Sequence, residues 1–260
     1  MSDDAVLRTE NVRKTFGGLT AVNDVSFAVG PNETKSLIGP NGAGKTTLLD
    51  CICGVYDVTS GSVTLGGETV TNEDPHKVAR RGLGRTYQIT NIFEEYSVFE
   101  NVRLAAQVKQ GRNFDLFSHY TDFEGPMDTA VEILDLVNLA NKGEVPAGTL
   151  AHGEQRQLEI GLALALEPEI LLLDEPAAGM ASDELERITS LINDLGEEYA
   201  ILLVEHNIDM VMELSDSVLV LDRGEKIVDD VPEVVREDQR VLDAYLQTDA
   251  EFAEATGGKP

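Results

Sequence analysis

Two stretches of this chain carry residues whose spacing dictates chemistry. Residues 39–46 read Gly-Pro-Asn-Gly-Ala-Gly-Lys-Thr, a G-x-x-x-x-G-K-[ST] pattern after a short apolar run and before a helical one. Glycines at that spacing let backbone N–H groups turn inward around a phosphate, and the helix N-terminus adds the positive end of its dipole. Lys45 can neutralise β- and γ-phosphate oxygens, and the Thr46 hydroxyl can ligate Mg²⁺. Gly39, Pro40, Asn41, Gly42, Ala43, Gly44 and Thr47 supply the backbone of this cradle. The bland alternative is a glycine turn before an amphipathic helix. The second stretch, "ILLLDE" at residues 170–175, is a buried-strand pattern ending in two acids. Asp174 can hold Mg²⁺, usually through a water, which leaves Glu175 placed to polarise an attacking water. A strand ending in solvated acids is common on its own. The combination with the glycine loop points to hydrolysis of a nucleoside triphosphate.

These residues need a parallel sheet to bring them together, and the pattern along the chain supplies one. "AVLRTENVRKTF" and "AVNDVSFAVG" alternate and read as strands, and "GSVTLGGETV" reads as a hairpin through Gly66-Gly67. "TKSLIG", "EILLLDEP" and "AILLVEH" are apolar strands, and "SVLVLDRGEKIVDD" is a terminal strand pair. From about Asp74 the pattern turns helical. "PHKVARRG", "SVFENVRLAAQVKQG", "MDTAVEILDLVNL" and "GEQRQLEIGLALALE" read as successive helices, the second closed by Gly111. "RNFDLFSHYTDFEGP" between them has no clear period and reads as an irregular connection. "SDELERITSLINDLG" is a further helix, "PEVVREDQRVLDAYL" a last one, and residues 248–260 a mobile tail. The order predicts an α/β core at 1–83 and 168–247 with a helical subdomain inserted at 84–167.

Composition narrows the setting. The chain has 20 basic and 47 acidic residues, a net charge of −27, and a pI near 4.3. Such a surface argues against binding a phosphate backbone, so no nucleic acid is expected. Two readings of the acidity stand open: an ordinary solvated surface, or a halophilic protein in a molar-salt cytosol, where screening acts over only ~3 Å. The eight lysines, and acids spread along the whole length, favour the second. No apolar run approaches the ~18 residues needed to span a bilayer, and "MSDDAVLRTE" has no signal-peptide core. The expectation is a cytosolic chain, attached to a membrane only through a partner. Cys51 and Cys53 are two apart on a predicted helix, point to different faces and read as core residues.

The chain resembles the ATP-binding cassette (ABC) transporter ATPases over about residues 5 to 246. The resemblance rests on motifs in the family's order: "GPNGAGKTT", "GRTYQ", "LAHGEQRQLEI", "ILLLDEP" and "ILLVEHN". It implies a P-loop NTPase fold with a mostly parallel sheet core, N-terminal antiparallel strands and the inserted helical subdomain. It implies that Gln88 touches Mg²⁺ or the attacking water and that His206 contacts the γ-phosphate. Phe16, alone a strand-end core residue, falls where the family stacks a ring on adenine. By the same resemblance Ala151, His152, Gly153 and Glu154 form the segment that recognises ATP held by a second cassette. That segment usually reads Leu-Ser-Gly-Gly-Gln, so Ala151 removes one hydroxyl donor. The branched-chain amino acid cassettes often carry alanine there. Ala181 is a second departure, in a loop where the wider family often has aspartate.

Text such as "FGGLTAVNDVSF", "GLGRTYQITNIFEEYSVFENV" and "ILLLDEPAAGM" is similar to the cassettes of branched-chain amino acid uptake, with the urea and short-amide cassettes close behind. The resemblance implies the ATPase of an importer, with ATP and Mg²⁺ as cofactors. Its partners would be a second cassette (a homodimer or heterodimer), two integral membrane permeases and an extracellular solute-binding protein. It would sit in the cytoplasm, peripheral on the inner face of the membrane. A soluble, non-transport cassette and a catalytically weak structural cassette are the competing readings. The first usually has two cassettes or long coiled-coil insertions. Against the second stand Lys45, Asp174, Glu175 and His206.

Overall fold

The computed structural model of the chain describes residues 4–86, 92–109 and 124–245. Strands β1 (Leu7–Phe16) and β2 (Leu19–Val29) form an antiparallel pair, Leu7 opposite Val29. Leu7, Thr9 and Val12 of β1 turn inward, as do Val25, Phe27 and Val29 of β2. β3 (Thr34–Ile38) opens the second sheet and leads into helix α1 (Lys45–Ile52). β4 (Ser60–Leu65) pairs with β1, and the short β5 (Glu68–Thr69) folds back through Gly66-Gly67 as the turn signal predicts. The first sheet has the order β2-β1-β4-β5.

Helix α2 (Pro75–Arg80) carries proline in its first turn, where no amide donor is needed. It is followed by β6 (Leu83–Arg85), α3 (Val98–Lys109), α4 (Glu124–Leu136) and α5 (His152–Leu164). β7 (Ile170–Asp174), α6 (Ser182–Gly196), β8 (Ala200–Val204), α7 (Ile208–Leu214), β9 (Ser217–Asp222), β10 (Glu225–Asp230) and α8 (Pro232–Glu237) complete the order. The second sheet runs β10-β9-β3-β8-β7-β6, parallel from β9 to β6 with β10 antiparallel at one edge.

The parallel sheet divides the interior. Ile170, Leu172, Ala200 and Leu202 face α1 and the antiparallel sheet. Leu171, Leu173, Ile201 and Leu203 face the side of α3 to α6. Alternate residues of β7 and β8 are thus buried on opposite faces, which is why both strands read as unbroken apolar runs. Cys51 and Cys53 are free and buried, and burial pushes both thiols up to about 11.

The helix expected over 232–246 is two pieces. It stops at Asp238, and a second helical stretch covers 239–245. The Asp238 Oδ1 accepts the Arg240 amide at 2.8 Å, so the carboxylate restarts the chain as a helix cap and does not continue it. Strand β6 falls at the border where the helical insert was predicted to begin, yet it pairs with β7 in the core sheet. Gly111, most of the 112–126 connection and the tail at 248–260 lie outside the described residues.

Candidate nucleotide-binding site

β3 delivers the chain to Gly39, and α1 leaves at Lys45. Between them Gly39 (φ 148°) and Gly44 (φ 99°) hold the loop. A Cβ on Gly39 would lie 2.1 Å from the Leu221 carbonyl oxygen of β9, and one on Gly44 would lie 2.5 Å from that of Ala21. Glycine is required at both because backbone approaches from outside the loop. From another side the Gly39 amide donates toward the phenol oxygen of Tyr245, at the end of the 239–245 helical stretch.

The Lys45 Nζ is buried and donates to the carbonyls of Gly39 at 2.6 Å and Pro40 at 3.1 Å. Burial lowers its pKa, and the nearby Glu175 and Asp174 carboxylates oppose that shift. No side chain caps α1, so its first-turn amides are free to meet an anion. The loop, Glu175, His206 and Arg223 line one open cavity of about 530 Å³.

β7 and β8 end side by side, Asp174 opposite Val204. The Glu175 amide donates to the Val204 carbonyl at 2.8 Å, which holds Glu175 at φ 50°. A left-handed conformation is unusual for a glutamate and turns its carboxylate off the strand direction. Glu175 Oε1 lies 2.9 Å from His206 Nε2. The buried Glu205 carboxylate accepts from the amides of Ala177 at 2.8 Å and His206 at 3.0 Å, tying the two strand ends together. Asn207 then caps α7 by accepting from the Met210 amide at 3.1 Å.

Asp174 is buried, and burial raises its pKa against the opposing Arg85 guanidinium. Arg85 Nη2 lies 3.4 Å from Asp174 Oδ2, and its Nη1 lies 2.8 Å from Asp50 Oδ1. Among the described residues no group of three or more His, Cys, Asp or Glu gathers as a metal cage. The oxygen donors of Thr46 and Asp174 suit a hard cation that completes its shell with phosphates and water.

The structure therefore brings Asn41, Gly42, Ala43, Gly44, Lys45, Thr46, Thr47, Glu175 and His206 to one cavity, and Gly39, Pro40 and Asp174 are not among its lining residues. Phe16 is not in its lining. It stands 42% exposed at the end of β1, edge-on to Tyr56 at 5.2 Å, with Lys14 Nζ 4.8 Å from its ring centre. Gln88 lies outside the described residues.

Residues 151–154 sit apart from this cavity, at the start of α5. Ala151 and His152 are exposed. Ala151 occupies the cap position, and its amide donates to Glu154 Oε2 at 3.1 Å. This is half of a capping box, since alanine offers no oxygen in return. Lys142 beside Glu154 holds that carboxyl below its usual range. The Gly153 amide donates to Glu184 Oε1 at 3.3 Å. Glu184 Oε2 accepts from the Ala181 amide at 3.3 Å, so one carboxylate spans the starts of α5 and α6. Sequence reasoning did not single out Arg85, Glu184, Glu205 or Arg223. Only Arg85 left a signal, a cation beside the apolar Leu83 in a stretch that ends at Gln88.

Residues 22–178 match the family described as ABC transporter. The high-affinity branched-chain amino acid transport ATP-binding protein BraF of Pseudomonas aeruginosa is 39% identical, over 93% of this chain and 97% of its own. LivG of Escherichia coli (strain K12), which carries the same description, is 37% identical with the same coverage. Among solved structures, the ADP conformation of MJ1267, an ATP-binding cassette of an ABC transporter, superposes with a TM-score of 0.82. It is 28% identical, over 93% of this chain and 98% of that one.

Proposed function

The chain belongs to the ABC transporter family, and on that premise we propose that it is the ATP-hydrolysing subunit of an importer of branched-chain amino acids. The observation that carries this reading is the shared cavity in which the phosphate loop faces the Glu175–His206 pair. Both named relatives are branched-chain amino acid transport proteins, which favours that solute class over urea and short amides.

ATP seats its phosphates on the amides of the loop and of the first turn of α1. Lys45 exchanges its contacts with the Gly39 and Pro40 carbonyls for β- and γ-phosphate oxygens. Thr46, Asp174 and Gln88 would hold Mg²⁺, which when bound would neutralise charge on those oxygens. Glu175 accepts a proton from the water whose oxygen attacks the γ-phosphorus, and ADP leaves. His206 releases Glu175 and turns its ring toward the γ-phosphate. Phe16, exposed and edge-on to Tyr56, is the aromatic ring offered to the base.

The segment Ala151–Glu154 reaches the ATP of a second cassette, identical or paralogous. That none of the four lines the chain's own cavity, and that Ala151 and His152 are exposed, favour this assignment. Two cassettes closing over ATP would drive two separate permeases, fed by an extracellular binding protein. Among the described residues no helix is long and apolar enough to cross a membrane. The chain would sit on the inner membrane face through its permeases. The core comprises 1–83 and 168–247 and the helical subdomain 84–167, with Gly84 and Arg85 of β6 completing the sheet edge. Solute-stimulated hydrolysis tests the reading. In proteoliposomes holding the full complex, leucine, isoleucine and valine raise the ATPase rate and urea leaves it unchanged. Stimulation by urea alone would reject the solute class.

The net charge of −27 fits a molar-salt cytosol. Screening of self-repulsion should raise the melting temperature by roughly 10 °C between ~0.1 and ~2 M KCl, without nucleotide. A flat or falling melting temperature would leave an ordinary acidic surface.

A further inference from the structure

Arg85 is 8% exposed at its side chain, and its two terminal nitrogens reach carboxylates on different elements. One is Asp50, within the helix that the phosphate loop opens. The other is Asp174, at the end of β7. The two acids are far apart in the chain, and this guanidinium contacts both. The next residue, Thr86, accepts the Asp174 amide on its Oγ1 at 3.4 Å and donates its own amide to Leu172 at 3.0 Å. Asp174 is thus held at its side chain by Arg85 and at its backbone by Thr86.

The geometry points to Arg85 as the positioning residue of the metal site: it fixes the Asp174 carboxylate through Oδ2 and locks β7 to α1. This rests on the reading of Asp174 as a Mg²⁺ residue. Three features carry it. A planar fork with two carboxylate partners constrains direction as well as charge, which a lysine ammonium does not. Asp174 is also held from two sides by consecutive residues, its side chain by Arg85 and its amide by Thr86 Oγ1. Finally, the contact is made to Oδ2, one of the two carboxylate oxygens, so it does not by itself exclude a cation from Asp174.

The test compares ATP affinity by titration calorimetry with EDTA and with Mg²⁺, repeated with Mn²⁺, in the full-length wild type, Arg85→Gln and Arg85→Lys. In EDTA, Arg85→Gln should bind ATP within about twofold of wild type, because the phosphate loop is untouched. The tightening that Mg²⁺ adds in the wild type should fall about tenfold in Arg85→Gln and recover partly in Arg85→Lys. Three results would overturn the assignment: an equal gain from Mg²⁺ in both proteins, a larger gain in Arg85→Gln, or an equal loss of affinity with and without metal. The last is the mark of a prop for the fold alone. If Arg85→Gln does not fold, Arg85→Lys carries the test, with a several-fold smaller Mg²⁺ gain expected and an unchanged gain overturning it. A wild type whose ATP affinity ignores Mg²⁺ would remove the metal reading itself, and this inference with it.

Discussion

Replacing Glu175 by Gln lowers ATP turnover by about 10²–10⁴-fold while ATP affinity stays within a few-fold of wild type. The carboxylate lies 2.9 Å from the His206 ring and lines the open cavity, whereas the backbone amides that would seat the phosphates belong to the 39–46 loop. The amide keeps the size and the hydrogen-bonding reach of the side chain but cannot accept the water's proton. Steady-state phosphate release, measured beside nucleotide binding in the same preparation, reads both quantities. A Glu175→Gln protein that hydrolyses ATP at the wild-type rate would remove Glu175 from the reaction. One that loses ATP affinity and turnover together would make it a structural residue. The left-handed backbone at Glu175 makes this a demanding position. The substitution is chosen because glutamine places no new atom at Cβ or Cγ.

Gly153→Asp is expected to abolish hydrolysis while the separate cassette still binds ATP. A Cβ at residue 153 would stand 3.3 Å from the Glu184 side chain, so Glu184 must shift for any side chain to fit. An aspartate adds charge to that crowding. It would face the Glu184 carboxylate, which already accepts the Gly153 amide, and would repel a phosphate approaching the start of α5. The phosphate loop lies more than 100 residues earlier in the chain and in a different cavity, so single-site nucleotide affinity should hold. Ala151→Ser acts in the opposite sense. Serine supplies the missing oxygen of the α5 capping box and a donor toward a γ-phosphate, which strengthens association within the ~1.5–3 kcal/mol of a charge-assisted bond. Hydrolysis in Gly153→Asp equal to wild type would make residues 151–154 an ordinary helix start.

How much of this was legible beforehand follows from where the constraints lie. β7 and β8 are buried on both faces, so their sequences could only be apolar, and the two acids at the end of β7 stood out against that run. The phosphate loop was legible because backbone from β9 and β2 leaves no room for a Cβ at Gly39 and Gly44, which fixes glycine at that spacing. Helix α6 matched its pattern from Ser182 to Gly196 because one face is buried and the other charged. β6 was not legible, since three residues carry no period, and α7 spans only seven. The break at Asp238 was hidden because aspartate is tolerated in a helix, and only its hydrogen bond to Arg240 shows it acting as a cap. Arg85 was quoted within a motif, yet its partners Asp50 and Asp174 lie 35 and 89 residues away. Glu184 likewise gained meaning only when α6 was placed beside α5.

The proposed working unit is two cassettes closed over ATP. Its most direct test is the molar mass of the Glu175→Gln protein by light scattering, with and without Mg²⁺ and ATP. The protein is measured alone and mixed with the proposed paralogous cassette. The mass should rise from 28.2 kDa to about twice that value in one of the two samples when ATP is added. Introducing Gly153→Asp should return it to the single-cassette mass. A mass that stays at one cassette in both samples at saturating ATP, with nucleotide bound, would rule out the two-cassette unit.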